Sequence, residues 1–278
     1  MKSFFRLTIT FFLFLFLTIL TQVGGVLYLL SKLFFKFVPQ IFPAKFPLFL
    51  QKAMTFLIIY ALFTFAFLPP LAKLNNRVPL PYFSKEETLQ PANLLTVFLN
   101  RHYVHPKLKQ LTKKVAKKMN QQYPGTQLSY LDANFPFWNG FPLLPHISHN
   151  DGKKIDLSFL YKHQVTGDFL QDRLTFTGYG FCEKPRKGEI DQPAICERKG
   201  YWQYSFLEKF VSKNNAPTVV FDEKRNKALL KIIATEKATG KILIEPHLEQ
   251  RLNLSSYAKV RYHGCHAVRH DDHIHLQL

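Results

Sequence analysis

Hydrophobic positions follow two regimes along the chain. The first third is apolar with no period, and the remainder carries helical and strand periods. Residues 7–30 run for 24 positions without a charge, and Gln22 is their only strongly polar side chain. About 20 apolar residues cross the hydrocarbon core as a helix, so this run predicts a membrane span. The Gly24-Gly25 pair is tolerated inside such a helix when neighbours pack against it. A cleaved signal peptide is the rival reading. It would have a shorter apolar region and a small-x-small site at its end, and neither is present. Residues 53–68 form a second apolar run that stops at Pro69-Pro70. Those 16 positions are short for a span. Adding residues 47–51, with Lys52 snorkelling, makes a second span of about 50–70. Pro39, Pro43 and Pro47, together with Lys32, Lys36 and Lys45, predict a tight turn between two antiparallel helices. Residues 1–72 therefore form a transmembrane hairpin. Two spans place the N-terminus and the large domain on one side. The connector lysines favour the cytoplasm for the turn, while Lys2, Arg6, Lys73 and Arg77 pull the other way.

Residues 73–124 read as a linker followed by basic amphipathic helices. Pro79, Pro81 and Pro91 mark the linker, and Pro106 splits the helical stretch in two. An apolar stripe (Leu94, Leu95, Val97, Phe98, Leu108, Leu111, Val115, Met119) opposes a face of Lys107, Lys109, Lys113, Lys114, Lys117 and Lys118. That face is either a solvated helix surface or a contact for anionic lipid or an anionic polymer. From residue 125 the period shortens. Residues 127–131, 154–160, 173–177, 218–222, 241–245 and 273–278 predict strands, and residues 202–212 and 224–236 predict helices. The predicted class is α+β: a two-helix membrane hairpin followed by a small antiparallel-sheet domain over residues 125–278.

Composition sharpens this division. A mean hydropathy of −0.08 suggests a soluble chain, and a net charge of +18 suggests an anionic partner. Neither average is uniform. Residues 1–90 hold 17 of the 28 Phe and nine Lys and Arg against two acidic residues, whereas the rest carries +11. Intrinsic disorder, a coiled coil and a disulfide-dense miniprotein are excluded, because the chain is too apolar, lacks sustained heptads and has three Cys. A nucleic-acid binder would need a recognisable motif or a basic-aromatic platform, and neither is present.

The candidate chemistry lies in histidines. Five of the eleven fall in the last 16 residues: His263, His266, His270, His273 and His275. The chain has no HExxH helix, CxxC pair, GxSxG elbow or Walker loop. His149 and Asp156 are seven residues apart, and a turn at residues 150–153 brings Asp156 back beside His149. If His273-Ile274-His275 is a strand, both imidazoles point to one face. Two imidazoles and one carboxylate make a three-ligand set with an open fourth position, the arrangement of a catalytic zinc site. Asp151 reads as a turn residue or a substrate contact, His146 as a supporting or capping residue, and His263 and His266 as loop histidines or an extended metal tract.

Residues 145–159, with His149-x6-Asp156, resemble the first zinc motif of the LAS metallopeptidases. That group includes D-Ala-D-Ala peptidases and penicillin-insensitive murein endopeptidases. Lys259-Val260-Arg261, followed by His270-Asp271-Asp272-His273-Ile274-His275, resembles the closing motif of the murein endopeptidases. The strand at 242–245 with Pro246-His247-Leu248 is similar to the segment before it. The resemblance implies Zn2+ held by His149, Asp156 and His275. It also implies His270 as general base, with Asp272 as second choice, and His273 facing the scissile carbonyl. It further implies a bacterial hydrolase that cuts peptidoglycan cross-link or stem peptides. Such an enzyme would be anchored in the inner membrane with its C-terminal domain in the periplasm. A non-catalytic zinc module of Hedgehog-like fold resembles the same domain. The hairpin, the short Asp272 and residues 178–200 depart from the family pattern. Cys182 and Cys196 bracket a 178–200 loop and read as a disulfide in an oxidising periplasm or as free buried thiols in a cytoplasmic domain, with Cys265 a packed thiol.

Overall fold

The computed structural model describes residues 2–38, 45–83, 87–171, 174–205 and 218–278. It is mixed in helix and strand, with two apolar helices long enough to cross a membrane, Phe4–Thr21 and Leu48–Lys73. Most of their large side chains face outward, which a buried core helix would not allow.

The first apolar run is not one helix. α1 (Lys2–Thr21) ends where Gln22 adopts a left-handed backbone with φ 68°, and α2 (Gly24–Ser31) folds back along it. Gly24 and Gly25 permit this. A Cβ at Gly25 would strike the Phe14 carbonyl and the Thr18 hydroxyl. The Thr21 hydroxyl accepts from Gly24 N–H, and Lys32 Nζ reaches the Thr10 hydroxyl at 2.9 Å. Gln22, the lone polar residue of the run, accepts the Phe137 N–H through its side chain at 2.8 Å. The second run continues past Pro69-Pro70. α3 (Leu48–Leu62) passes through a wide turn (Phe63–Phe67) into α4 (Leu68–Lys73). The prolines then sit in the first turn of α4, where a missing N–H costs little. Pro39 and Pro43 of the expected connector lie outside the described residues.

The helices dock on the rest of the chain. Val23, Leu27, Tyr60, Leu68, Ala72 and Tyr103 share a buried cluster, Tyr60 OH donates to the Phe98 carbonyl, and Asn100 donates to the Thr21 carbonyl. The linker supplies β1 (Val78–Pro79) and β2 (Leu89–Pro91). α5 (Leu94–Phe98) is capped by Asn93. β3 (Tyr103–Val104) pairs with β1, and Pro106 opens α6 (Pro106–Gln122). On α6, Leu108, Leu111, Val115 and Met119 are buried as the stripe predicts. Three lysines of the opposite face are engaged: Lys113 pairs with Glu87, and Lys114 and Lys118 pair with Glu236.

β4 (Leu128–Tyr130) and β5 (Lys154–Ser158) enter the main sheet. β6 (Tyr161–His163), β7 (Phe169–Leu170) and β8 (Val219–Phe221) form a separate antiparallel sheet, with α7 (Gln192–Arg198) between β7 and β8 in sequence. α8 (Glu223–Thr235), β9 (Lys241–Leu243), α9 (Pro246–Arg251), β10 (Val260–Arg261) and β11 (His273–Gln277) complete the described chain. The main sheet runs β10-β9-β11-β5-β4-β2. Its four central strands are antiparallel, but both edge pairs are parallel, so it is a mixed sheet rather than the antiparallel one expected. Ile155, Leu157, Ile274 and Leu276 join α6 and α8 in one core. Of the expected strand at 173–177, residue 173 is outside the described residues and 174–177 form bends. Of the expected helix at 202–212, residues 202–205 make one tight helical turn, and 206–212 are outside the described residues.

The Cys182–Cys196 disulfide reading is corrected. Cys196 is bonded to Cys265, 69 positions away, while Cys182 lines a cleft elsewhere. α7 carries Cys196 to the loop that precedes His270, so the bridge ties two distant segments and does not close a local loop.

Candidate metal centre

The centre is built on two neighbouring strands. β11 runs antiparallel to β5 with His275 opposite Asp156 and His273 opposite Ser158. Side chains alternate along a strand, so the register that buries Ile155, Leu157, Ile274 and Leu276 against the helices turns Asp156, His273 and His275 to the other face. All three are buried. His149 arrives from the loop before β5. The turn depends on Gly152, with φ 78°, where a Cβ would collide with the Arg77 guanidinium.

His149 Nδ1 lies 2.7 Å from the Ala133 carbonyl, which can only accept, so Nδ1 carries a proton and Nε2 is the nitrogen turned toward the cluster. That Nε2 is 3.0 Å from His275 Nδ1 and 3.2 Å from Asp156 Oδ1, and His275 Nδ1 is 2.9 Å from the same oxygen. A tetrahedral zinc with bonds of about 2.0–2.1 Å sets its ligand atoms about 3.3 Å apart, so the triangle has a suitable size. Two imidazole nitrogens this close need a proton or a cation between them. His149, Asp156 and His275 could therefore hold a metal ion.

The other oxygen of Asp156 has different neighbours. Tyr179 OH donates to Oδ2 at 2.9 Å, His146 Nδ1 lies at 3.3 Å and His273 Nε2 at 3.7 Å. Asp132 Oδ2 stands 3.2 Å from His146 Nδ1 and 3.1 Å from Arg101. His273 Nδ1–H donates to Asp272 at 2.5 Å, and the second oxygen of Asp272 accepts Gly180 N–H. Asp272 thus bridges the His273 imidazole and the Gly180 backbone and positions the ring. His270 is buried, its ring centre 5.0 Å from that of His273 and 5.7 Å from that of His275. Its backbone N–H is held by Glu245.

Electrostatics follow from this burial. Desolvation raises the Asp156 carboxyl, but the imidazoles of His149, His273 and His146 overcome it and hold the group well below the usual range. Burial pulls His273 down, yet Asp156 and Asp272 outweigh it and push His273 up to about 9. Burial, with His273 and His275 nearby, holds His270 well below the ordinary imidazole value, and burial lowers His275 to about 4. Before any metal binds, His270 is thus a neutral acceptor and His273 a cation at pH 7.

The structure brings together all six residues singled out from the sequence: His149, Asp156, His270, Asp272, His273 and His275. His146 joins them inside the cluster. His263 sits farther out, its ring centre 6.2 Å from that of His270, and His266 contacts Tyr201. Asp151 is a turn residue that takes Lys153 N–H and Lys154 Nζ. Asp132, Tyr179 and Arg101 were missed, because they come from irregular segments with no spacing motif. Two depressions meet at His146 and His273. One, of about 370 Å³, has Leu95, Leu99 and Val268 in its wall; the other, of about 330 Å³, is rimmed by Lys154, Lys241 and His263. No protein-family model matches the chain, and no curated protein matches its sequence.

Proposed function

We propose that this chain is a membrane-anchored zinc metallopeptidase that hydrolyses peptide bonds of peptidoglycan, in a stem or a cross-link. The observation that carries the reading is the junction of His149, Asp156 and His275 with a neutral, buried His270, all four lining the depression of about 330 Å³. The donor set suits the metal: one imidazole is locked into a tautomer by a carbonyl, and a buried carboxylate is already ionised. Bound zinc supplies a Lewis acid and brings the pKa of a water near 7.

The remaining steps belong to side chains. His270 accepts the proton released as water attacks the carbonyl. His273, held by Asp272, faces the oxyanion with positive charge. Lys241, at the rim of the smaller depression, offers a partner for a carboxylate of a peptide. The apolar helices would fix the domain at the inner-membrane surface on the periplasmic side.

Mass spectrometry of peptidoglycan fragments tests the reading. Wild type is expected to release new peptide ends, and His149→Ala to lose that release together with tightly bound zinc. Equal products from both proteins, or from neither, would overturn it.

A further inference from the structure

Asp156 offers two carboxylate oxygens, and each faces its own pair of histidines. Oδ1 meets His149 Nε2 and His275 Nδ1 at 3.2 and 2.9 Å. Oδ2 meets His146 Nδ1 and His273 Nε2 at 3.3 and 3.7 Å. Within each group the ligand atoms all lie within 4.8 Å of one another, and every residue is buried. We infer that the centre takes two divalent metal ions, the second between His146, His273 and Asp156, with Asp156 bridging the pair. The inference rests on the metal-centre reading above and changes its stoichiometry.

Three observations point to a ligand at the second position. His273 Nε2 is buried and has no hydrogen-bond partner, although its ring is only 2% exposed. A buried polar atom without a partner is unfavourable, and a metal bond would remove that cost. Its other nitrogen donates to Asp272, and a carboxylate behind a histidine is the usual support of a metal ligand. Asp132 Oδ2, 3.2 Å from His146 Nδ1, holds that imidazole in the cluster. Tyr179 takes one lone pair of Asp156 Oδ2 and leaves the other for a metal.

The position also has an approach. His146, His273 and Asp132 line the 370 Å³ depression, so a cation there faces a space large enough for part of a peptide. Imidazole with carboxylate suits zinc, manganese or cobalt better than magnesium or calcium. In paired hydrolytic sites the ions stand about 3.5–4 Å apart, a distance that one bridging carboxylate spans. The second cation would use the Nε2 lone pair that otherwise holds a proton. It would thus take over the positive charge assigned above to His273.

Metal counting on the full chain in detergent tests this. Chelator-stripped protein is titrated with Zn2+, and bound metal is measured by elemental mass spectrometry after desalting. Wild type is expected to retain two equivalents, and His146→Ala and His275→Ala one each. X-ray absorption of the wild type is expected to show metal–metal scattering near 3.5–4 Å. Circular dichroism checks that each variant is folded, and Asp132→Asn, expected to weaken only the second equivalent, stands in for any that is not. Saturation at one equivalent, or His146→Ala and Asp132→Asn both binding as wild type does, would overturn the two-metal centre. Saturation at one equivalent together with peptide release would do so and leave the peptidase reading intact. Two equivalents without release would sink the peptidase reading alone.

Discussion

Glu245 shows how a residue outside the ligand set can shape the centre. It is fully buried, accepts Tyr204 OH and the His270 N–H on one oxygen, and leaves the other oxygen without a partner. Burial, with Asp271 nearby, pushes its carboxyl up to about 7. A carboxyl with a raised folded pKa stabilises the fold fully below its unfolded value near 4.5, and that contribution is lost as pH rises through about 7. The loss is on the order of 3 kcal/mol. Glu245→Gln keeps an acceptor for both hydrogen bonds and cannot ionise. The melting temperature of the variant relative to wild type is therefore expected to rise between pH 5 and pH 8. A difference that stays flat over that interval would show that Glu245 is ionised throughout. The same carboxyl fixes the backbone of His270, so its charge state bears on the placement of the proposed base.

At the level of elements, the Cys196–Cys265 bridge ties α7 to the loop that delivers His270. In the chain-entropy model, a closure of this length stabilises the fold by about 4 kcal/mol. Cys265→Ser is expected to lower the melting temperature by several degrees, and thiol titration of the denatured, unreduced chain to count one thiol. A count of three would remove the bridge. The sequence hid this pairing because Cys182 is the neighbour in the chain, and nothing local reveals where α7 turns. Elements with a strong period were legible: α6 and α8 from their apolar stripes, and β5 and β11 from alternation. The residues opposite one another on β5 and β11 were legible for the same reason. Strand parity settles which face His273, His275 and Asp156 share. Asp132 and Tyr179 were not legible, because irregular backbone carries no period from which a facing direction can be read. The reversal at Gln22 escaped as well. An apolar stretch has no polar face to report a change of direction, and only Gly24-Gly25 hinted at a close approach.

That reversal alters the arrangement of the whole molecule. α2 is antiparallel to α1, since Lys32 reaches Thr10 and Gly25 lies against Phe14 and Thr18. It is also antiparallel to α3, because Tyr28 meets Phe56, Lys52 lies over Phe35, and Val23 and Leu27 cluster with Tyr60. α1 and α3 therefore both run toward the sheet domain, where Thr21, Gln22 and Tyr60 make their contacts. Arg6, Lys32, Lys45 and Lys52 collect at the far end, and the conflict among charges in the two-span hairpin largely disappears. Only Lys73 and Arg77 remain at the domain end. With positive residues held in the cytoplasm, the shared direction of α1 and α3, the two helices long enough to span, would put the domain outside and the N-terminus inside, the reverse of the same-side hairpin; α2, with eight residues, is too short to count as a third span. An N-terminal fluorescent-protein fusion, which matures only in the cytoplasm, is expected to be bright. A C-terminal alkaline phosphatase fusion, which folds only outside, is expected to be active in the same cells. Gly25→Leu would force α2 off α1, and the phosphatase signal is then expected to drop. Both termini reporting the same side in the unsubstituted chain would restore the two-span hairpin.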